Sequence, residues 1–515
     1  MTSTAFKYRY AESDAAQSEV FDVVVIGAGV TGACLFHQLR QKGFRVLLAD
    51  KSDFSGGTSQ ASAMMLWGGL AYLRSFDIPT VFRLCTAREA LIRGMRDCAQ
   101  PRTFRYIVPN PRAGNRVLVQ SALYLYWLLG GFRRSRPRAP EQFSEAPLLR
   151  EIRRNCFEYE EAYLPDSDAR FVMQWILRAR DIENPALNYC QLRDGHFDSP
   201  SSQWRLEFED RILKRSCSIK AKIVVNAAGV WADSINENFG VETPCKHVLS
   251  KGVFIGLRRD PSHVTPLIIE KADQDCYALI PWGPISVWGP TETLTSDVHH
   301  GFNVTAADIH LLVDEYDKHF ARPLRPEDVI SLRCGVRGLA VPRSMPVDQY
   351  RRTQGLSRKF VVYRDPQRPW ITIHGGKLTG CVPIADSVLR LVRQSIQPSM
   401  ASPILEEMSA TPTLESFPGL KEKVPSADWC AREGCWFLED YLRRRSNIAQ
   451  WVPRGALGHF NENAGHLERL ASRFLTGHDT RSPYAAVKDY QHEIETRYDR
   501  VLSECSLTTA PVEVL

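Results

Sequence analysis

The sequence predicts an α/β protein, α+β overall. A doubly wound, Rossmann-like domain is interleaved along the chain with a mixed-sheet domain and followed by a C-terminal helical domain. Three observations predict it. First, Phe21–Ile26 is a continuous, largely β-branched run that ends in glycines, followed by an amphipathic stretch through Gln41 and a second apolar run, Arg45–Asp50. That is a strand–helix–strand unit of a parallel sheet, whose strands are buried on both faces. Second, "IKAKIVVNAAGVWAD" (Ile219–Asp233) and "PWITIHGGKLTG" (Pro369–Gly380) each show an apolar strand turning at glycine, and both suit a return to the first sheet. Third, the pattern after Pro412 becomes charged and helical, with Trp436–Ile448 and Asn461–Phe474 the clearest amphipathic segments.

The elements place the boundaries. Residues 1–20 are taken as a tail. The doubly wound domain is assembled from 21–79, 156–243 and 342–400, the mixed-sheet domain from 80–155 and 244–341, and the helical domain from 412–505. A chain of 515 residues exceeds one ordinary core, so two or three domains are expected. Apolar residues make up 44% and charged residues 24%, which excludes disordered and fibrous classes. A net charge of +6 over this length does not call for nucleic acid. Two arginine clusters, 133–138 and 443–445, read as solvated basic faces, or as faces toward an anionic surface.

Thirteen cysteines at irregular spacing indicate reduced thiols, and no spacing assembles a metal site; Cys430 and Cys435 lack a nearby histidine. Glu12, Asp14 and Glu19 with no apolar core near the start do not form a secretory signal, and a cytoplasmic location is expected. Val117–Leu129 is strongly apolar, yet falls short of the roughly 20 residues a spanning helix needs. It reads equally as a buried helix or as one lying on the inner face of a membrane.

The glycine turn carries the chemistry. Gly27-Ala28-Gly29-Val30-Thr31-Gly32 is a G-x-G-x-x-G placed directly after a buried strand and opening a helix, where free N–H groups and the helix dipole meet a diphosphate. Asp50 ends the second strand, positioned for a ribose hydroxyl. The fingerprint alone does not separate NAD from FAD. Asp53-Phe54-Ser55-Gly56-Gly57-Thr58-Ser59 then adds a hydroxyl-rich loop suited to a second approach to diphosphate or ribityl oxygens through Ser55, Thr58 and Ser59.

Taken together, these stretches resemble the FAD-dependent glycerol-3-phosphate dehydrogenases of the D-amino-acid-oxidase-like flavoprotein superfamily. The resemblance runs through GAGVTG, DFSGGTS, "WGGLAYL", "DSDAR" (Asp166–Arg170), VVNAAGVWAD, "SKGVFIGL" (Ser250–Leu257), "ALIPWG" (Ala278–Gly283), "CGVRGL" (Cys334–Leu339) and HGGKLTG (His374–Gly380), and into Phe437–Trp451. It implies non-covalent FAD, hydride transfer from a small-molecule substrate to flavin N5, and reoxidation by quinone or another acceptor at a membrane surface. Gly229, Gly375, Gly376, Leu378 and Thr379 join the implied cofactor residues. Lys377 matches a lysine beside flavin and substrate, where a cation stabilises reduced flavin. Arg337 and Arg352 match two substrate-contacting arginines, whose forked guanidiniums hold a phosphate or carboxylate, and Tyr72 matches a tyrosine that bonds a substrate oxygen.

The chain also departs from the pattern. Where the family reads Lys-Leu-Ile-His-Gly-Gly-Leu-Arg-Tyr, this chain has Met64-Met65-Leu66-Trp67-Gly68-Gly69-Leu70-Ala71-Tyr72. The family's "KGSH" histidine is Phe254, and Gly380-Cys381-Val382-Pro383 follows where Thr-Tyr-Arg-Lys is common. Either the pocket is rebuilt for a more apolar substrate, with Met64, Trp67, Ala71 and Phe254 as its wall, or turnover is lost while flavin binding persists. His374 is the nearest replacement for a proton acceptor. An amine or amino-acid oxidase, and a flavin-bearing interaction protein without turnover, stand as alternatives.

Overall fold

The computed structural model describes residues 4–108, 113–141, 144–150, 156–271, 276–346, 359–403, 405, 411–474 and 481–508. Strands are β1 Val20–Ile26, β2 Val46–Ala49, β3 Met65–Leu66, β4 Gln100–Ile107, β5 Cys156–Tyr163, β6 Ala186–Leu187, β7 Cys190–Asp198, β8 Gln203–Asp210 and β9 Arg215–Asn226. They continue as β10 Cys245–Arg258, β11 Leu267–Glu270, β12 Cys276–Trp282, β13 Ile285–Gly289, β14 Thr293–Thr295, β15 Val329–Pro342, β16 Val361–Arg364 and β17 Trp370–His374. Two sheets result. The first is ordered β16-β17-β9-β1-β2-β6 with β8 and β7 hanging from β9; β17, β9, β1, β2 and β6 run parallel. The second is ordered β14-β10-β13-β12-β11-β4-β5-β3, with β15 along β10.

The first strand–helix–strand unit forms where the pattern put it. All but the first residue of β1 is buried, as a run flanked on both faces requires. The helix α1 covers Thr4–Ser18, α2 Val30–Gln41, α3 Ile78–Gly94, α4 Ala113–Leu129, α5 Asp168–Ala179 and α6 Ala232–Asn238. Helix α2 packs with α5 and helix Cys381–Ser395 in the main core, through Phe36, Leu39, Phe171 and Val388 among others. The strand–turn–helix readings at Ile219–Asp233 and Pro369–Gly380 are β9–α6 and β17 leading into helix Cys381–Ser395, both in the first sheet.

Three expectations are corrected. Within 1–20, expected to be a tail, Thr4–Ser18 is instead a docked helix: α1 docks through Arg9, 0% exposed, which bonds Asp210 at 3.0 Å, and through Glu12, which takes Arg180. Cys156–Tyr163, assigned to the doubly wound domain, instead pairs with β3 and β4 in the second sheet, because its neighbour in space is the β4 edge rather than any parallel strand. Trp436–Ile448 is not a regular amphipathic helix but holds a π-helical turn at Asp440–Arg445. Among the described residues no helix is long and apolar enough to cross a membrane.

Candidate active site

The glycine turn is built for close backbone approach. Gly27 has φ +101°, and a Cβ there would lie 2.7 Å from the Ala227 carbonyl oxygen; on Gly32 it would lie 1.8 Å from the Gly27 oxygen. Any side chain at either position displaces the turn. Thr31 sits half-buried in the first turn of α2. The N-terminus of α2 has no cap of its own; Val30 N–H donates to Ser59 Oγ at 3.0 Å, and a Cβ on Gly29 would meet that same oxygen. Ser59 thus marks where an anion's oxygen is welcome.

Asp50 accepts Ala28 N–H at 2.7 Å and Ser52 N–H at 2.9 Å. Burial pushes its carboxyl up, and these hydrogen bonds oppose the shift. Beyond it Ser55 is 1% exposed at φ +62°, and its buried Oγ has no partner among the described residues. Thr58 Oγ1 donates to the Val336 carbonyl, tying this loop to β15. Gly229, at φ +56° with open space where a Cβ would point, turns the chain after β9. Three loops therefore converge on one glycine-lined cradle, and the orphaned Ser55 hydroxyl needs an outside partner. The donor set fits a dinucleotide diphosphate and its ribose.

The second cluster lies beyond β17. Gly375 and Gly376 have φ +69° and +112° and deliver Lys377 so that its Nζ stands 4.3 Å from the centre of the Tyr72 ring. Two expected site residues, 305 positions apart by subtraction (377 − 72), are thereby brought together. Leu378, half-buried, and Thr379, 2% exposed, carry the turn into helix Cys381–Ser395. Arg337 lies on β15 opposite Ser250, its guanidinium over Gly252, where a Cβ would come within 3.0 Å of Nη2. It shares a sheet face with Gly335, which rests on the Thr58 loop.

The expected pocket wall is only partly a wall. Met64 and Phe254 are 0% and 3% exposed and pack in the main core; Met64 takes φ +55°. Trp67 is half-buried and Ala71 exposed. Arg352 lies outside the described residues.

His374 ends β17 fully buried, with Nε2 3.1 Å from Asp233 Oδ1. Its Nδ1 has no partner among the described residues. His247, from β10, joins the same carboxylate, with Nδ1 3.2 Å from Asp233 Oδ2 and its ring 4.9 Å from that of His374. Burial alone would raise the Asp233 carboxyl, but hydrogen bonds from His247 and His374 hold it far below the usual range. Residue spacing gave no sign of this trio, since its members lie on three separate segments.

Also unforeseen are Arg333, 2% exposed and bonded to Asp168 at 2.9 Å and to the Ser62 carbonyl at 3.2 Å, and the cluster at 443–445. Arg444 and Arg445 are 3% and 2% exposed. Both grip Asp53 of the cofactor loop, Arg445 through 3.0 and 2.9 Å bonds. The reading of this cluster as a solvated or surface-facing patch is overturned, because a buried carboxylate needs these partners. In the 133–138 cluster, Arg134 pairs with Glu89 and Arg138 with Glu158.

A glycine cradle at the ends of parallel strands defines a dinucleotide-binding fold in class. The family model described as FAD dependent oxidoreductase matches residues 22–380. Aerobic glycerol-3-phosphate dehydrogenase of Staphylococcus aureus is 25% identical over 406 residues, covering 77% of this chain and 71% of that protein. Glycerol-3-phosphate dehydrogenase from Bacillus halodurans, solved with FAD, superposes with a TM-score of 0.68 at 17% identity, over 96% of this chain and 98% of that one. Glycine oxidase from Geobacillus kaustophilus superposes with a TM-score of 0.53 at 17% identity, over 76% and 99%. The chain belongs to the FAD dependent oxidoreductase family. It is an enzyme whose cofactor is FAD.

Proposed function

We propose that the enzyme oxidises a CH–OH carbon in a small phosphorylated or acidic molecule, with glycerol 3-phosphate as the first substrate to test. The carrying observation is the Lys377 ammonium over the Tyr72 ring, 4.3 Å from its centre. Gly27, Gly29, Gly32, Asp50, Ser55, Thr58 and Ser59 would hold FAD, with Gly229, Gly375 and Gly376 shaping the turns around it. Bound FAD supplies the two-electron acceptor for hydride from the substrate carbon.

The chain's own groups do the rest. Arg337 pairs with the anionic end of the substrate, because a planar fork matches phosphate or carboxylate oxygens. Tyr72 donates a hydrogen bond to a substrate oxygen, and Lys377 stabilises negative charge that develops nearby. Asp233 accepts the Nε2 proton of His374 and so leaves a lone pair on Nδ1, the form a base needs. His374 Nδ1 takes the hydroxyl proton as the carbonyl forms. The acceptor that reoxidises the enzyme is a quinone or another small carrier, and a membrane surface is its source. Support for that surface comes from α4, whose Leu118 and Leu128 are 67% and 50% exposed.

Anaerobic mixing tests the reading. Glycerol 3-phosphate should bleach the oxidised flavin band, and replacing His374 with Ala should slow that bleaching by about 10²-fold or more, the scale of a lost general base. Bleaching by amines or amino acids alone would move the enzyme to the amine oxidases, where the substrate enters neutral and needs no base. No bleaching by any candidate would sink this substrate class.

A further inference from the structure

The Asp233–His247–His374 trio joins three parts of the molecule that sequence keeps apart. Asp233 is in the first turn of α6, His247 is on β10 of the second sheet, and His374 ends β17 of the first. One further bond gives the trio its use: Gly375 N–H donates to His247 Nε2 at 3.1 Å. His247 is held for this on every side. Its backbone N–H donates to Asp233 Oδ2 at 2.7 Å. Its ring lies over Gly338, where a Cβ would come within 2.6 Å of Cδ2, and its side chain is 2% exposed. Across the turn, Gly375 is itself confined at φ +69°, with a would-be Cβ 2.8 Å from the Lys359 oxygen.

The bond fixes the tautomer. An imidazole nitrogen that accepts an N–H must carry a lone pair, so the proton of neutral His247 sits on Nδ1, facing Asp233. The same logic sets aside a metal ion. The three ligand atoms lie within 4.8 Å of one another, but a metal on Nδ1 needs the lone pair there and puts a proton on Nε2, against the Gly375 N–H.

We propose that His247 is a positioning residue. Through its acceptor nitrogen it latches the Gly375–Gly376–Lys377 turn of the first sheet to the second sheet, and so sets where the Lys377 ammonium stands. Asp233 holds the His247 backbone N–H at 2.7 Å and His374 Nε2 at 3.1 Å beside the latch. The proposal rests on Lys377 working beside the flavin, but the latch itself is a property of the protein chain.

Amide hydrogen exchange of the full-length protein, read on the peptide spanning 370–380 with and without FAD, tests it separately. His247→Gln keeps an acceptor oxygen near the place of Nε2. His247→Asn reaches only the place of Nδ1, and His247→Leu offers no acceptor. Leu and Asn should speed exchange at Gly375 by about five- to tenfold, the scale of one hydrogen bond, and lower kcat more than they change KM. Gln should restore both to within about threefold of the wild type. Equal exchange in Gln and Asn would overturn the latch, and that contrast stands even where Leu does not fold. Slower exchange on adding zinc, reversed by EDTA, would also overturn it, by showing the trio to be a metal site. If the exchange contrast holds while glycerol 3-phosphate leaves the flavin oxidised, the substrate reading falls and the latch remains.

Discussion

Lys377 earns its place through backbone geometry: two glycines in left-handed conformations aim a long side chain at the Tyr72 ring, where a cation over an aromatic face is favourable. Replacing Lys377 with Met should retain bound FAD and slow flavin reduction by about 10²-fold, the scale of one lost electrostatic contact. An unchanged rate in stopped flow would remove Lys377 from the chemistry. A second residue sets acid stability. His263 is 1% exposed, its Nδ1 2.7 Å from Ser286 Oγ, and burial pushes its imidazole down to about 4 from 6.5. The folded state therefore disfavours the charged ring. Its contribution is fully present above pH 6.5 and is lost as pH falls from 6.5 toward 4, a change of roughly 3 kcal/mol. His263→Gln should melt with a shallower dependence on pH across that window, and parallel curves would refute the assignment. At this scale the glycine turns, and the positions of Asp50 just after β2 and of Lys377 just after β17, were legible as local geometry. Met64 and Phe254 were not, because an apolar residue looks the same in a sequence whether it faces substrate or core.

Elements show why the C-terminal helices matter to the cofactor loop. The π-helical turn Asp440–Arg445 brings Arg444 and Arg445 onto Asp53, two residues before Ser55. Asn188 adds a 2.8 Å bond to the same carboxylate. Burial would raise the Asp53 carboxyl, but Arg445 and Arg444 hold it down at about 2. Its stabilisation is thus present above pH 3.8 and lost between 3.8 and 2. Removing one arginine leaves a buried charge half-compensated, at a cost of about 3–5 kcal/mol. Arg445→Met should therefore release FAD at a lower temperature, read by the rise of free-flavin fluorescence, and pairing it with Asp53→Asn should recover part of the loss. Equal release temperatures in wild type and Arg445→Met would show that the helical domain does not hold this loop. Three consecutive arginines in a helical pattern resemble a solvated face by periodicity. Only the approach of Asp53, nearly 400 positions away (445 − 53 = 392), reveals their burial.

For the molecule as a whole, one helix face stands out as a contact surface. Helix α4 presents Val117, Leu118, Leu125 and Leu128 to solvent, and Phe132 follows at 55% exposed. Its inner side, Leu123 and Tyr126, packs into the main core, so one face of the helix is buried and the other is apolar toward solvent. An exposed apolar stripe of this kind marks a contact surface. The enzyme should co-sediment with vesicles of anionic lipid, and the double change Leu118→Glu, Leu128→Glu should abolish this while sparing flavin reduction in solution. Sedimentation unaffected by the change would place the contact elsewhere.

By itself the sequence determined the strand–glycine–helix cradle and the interleaving of two sheets, because these depend on short-range periodicity and on backbone conformations open only to glycine; the FAD family came from the resemblance of its motifs, in their order along the chain. Tertiary structure alone decided that the starting segment docks as a helix, that residues 156–163 join the second sheet, that Arg444 and Arg445 are buried, and that Asp233, His247 and His374 meet. Each of these is a contact between segments far apart in the chain, and its energy comes from partners that no local pattern encodes.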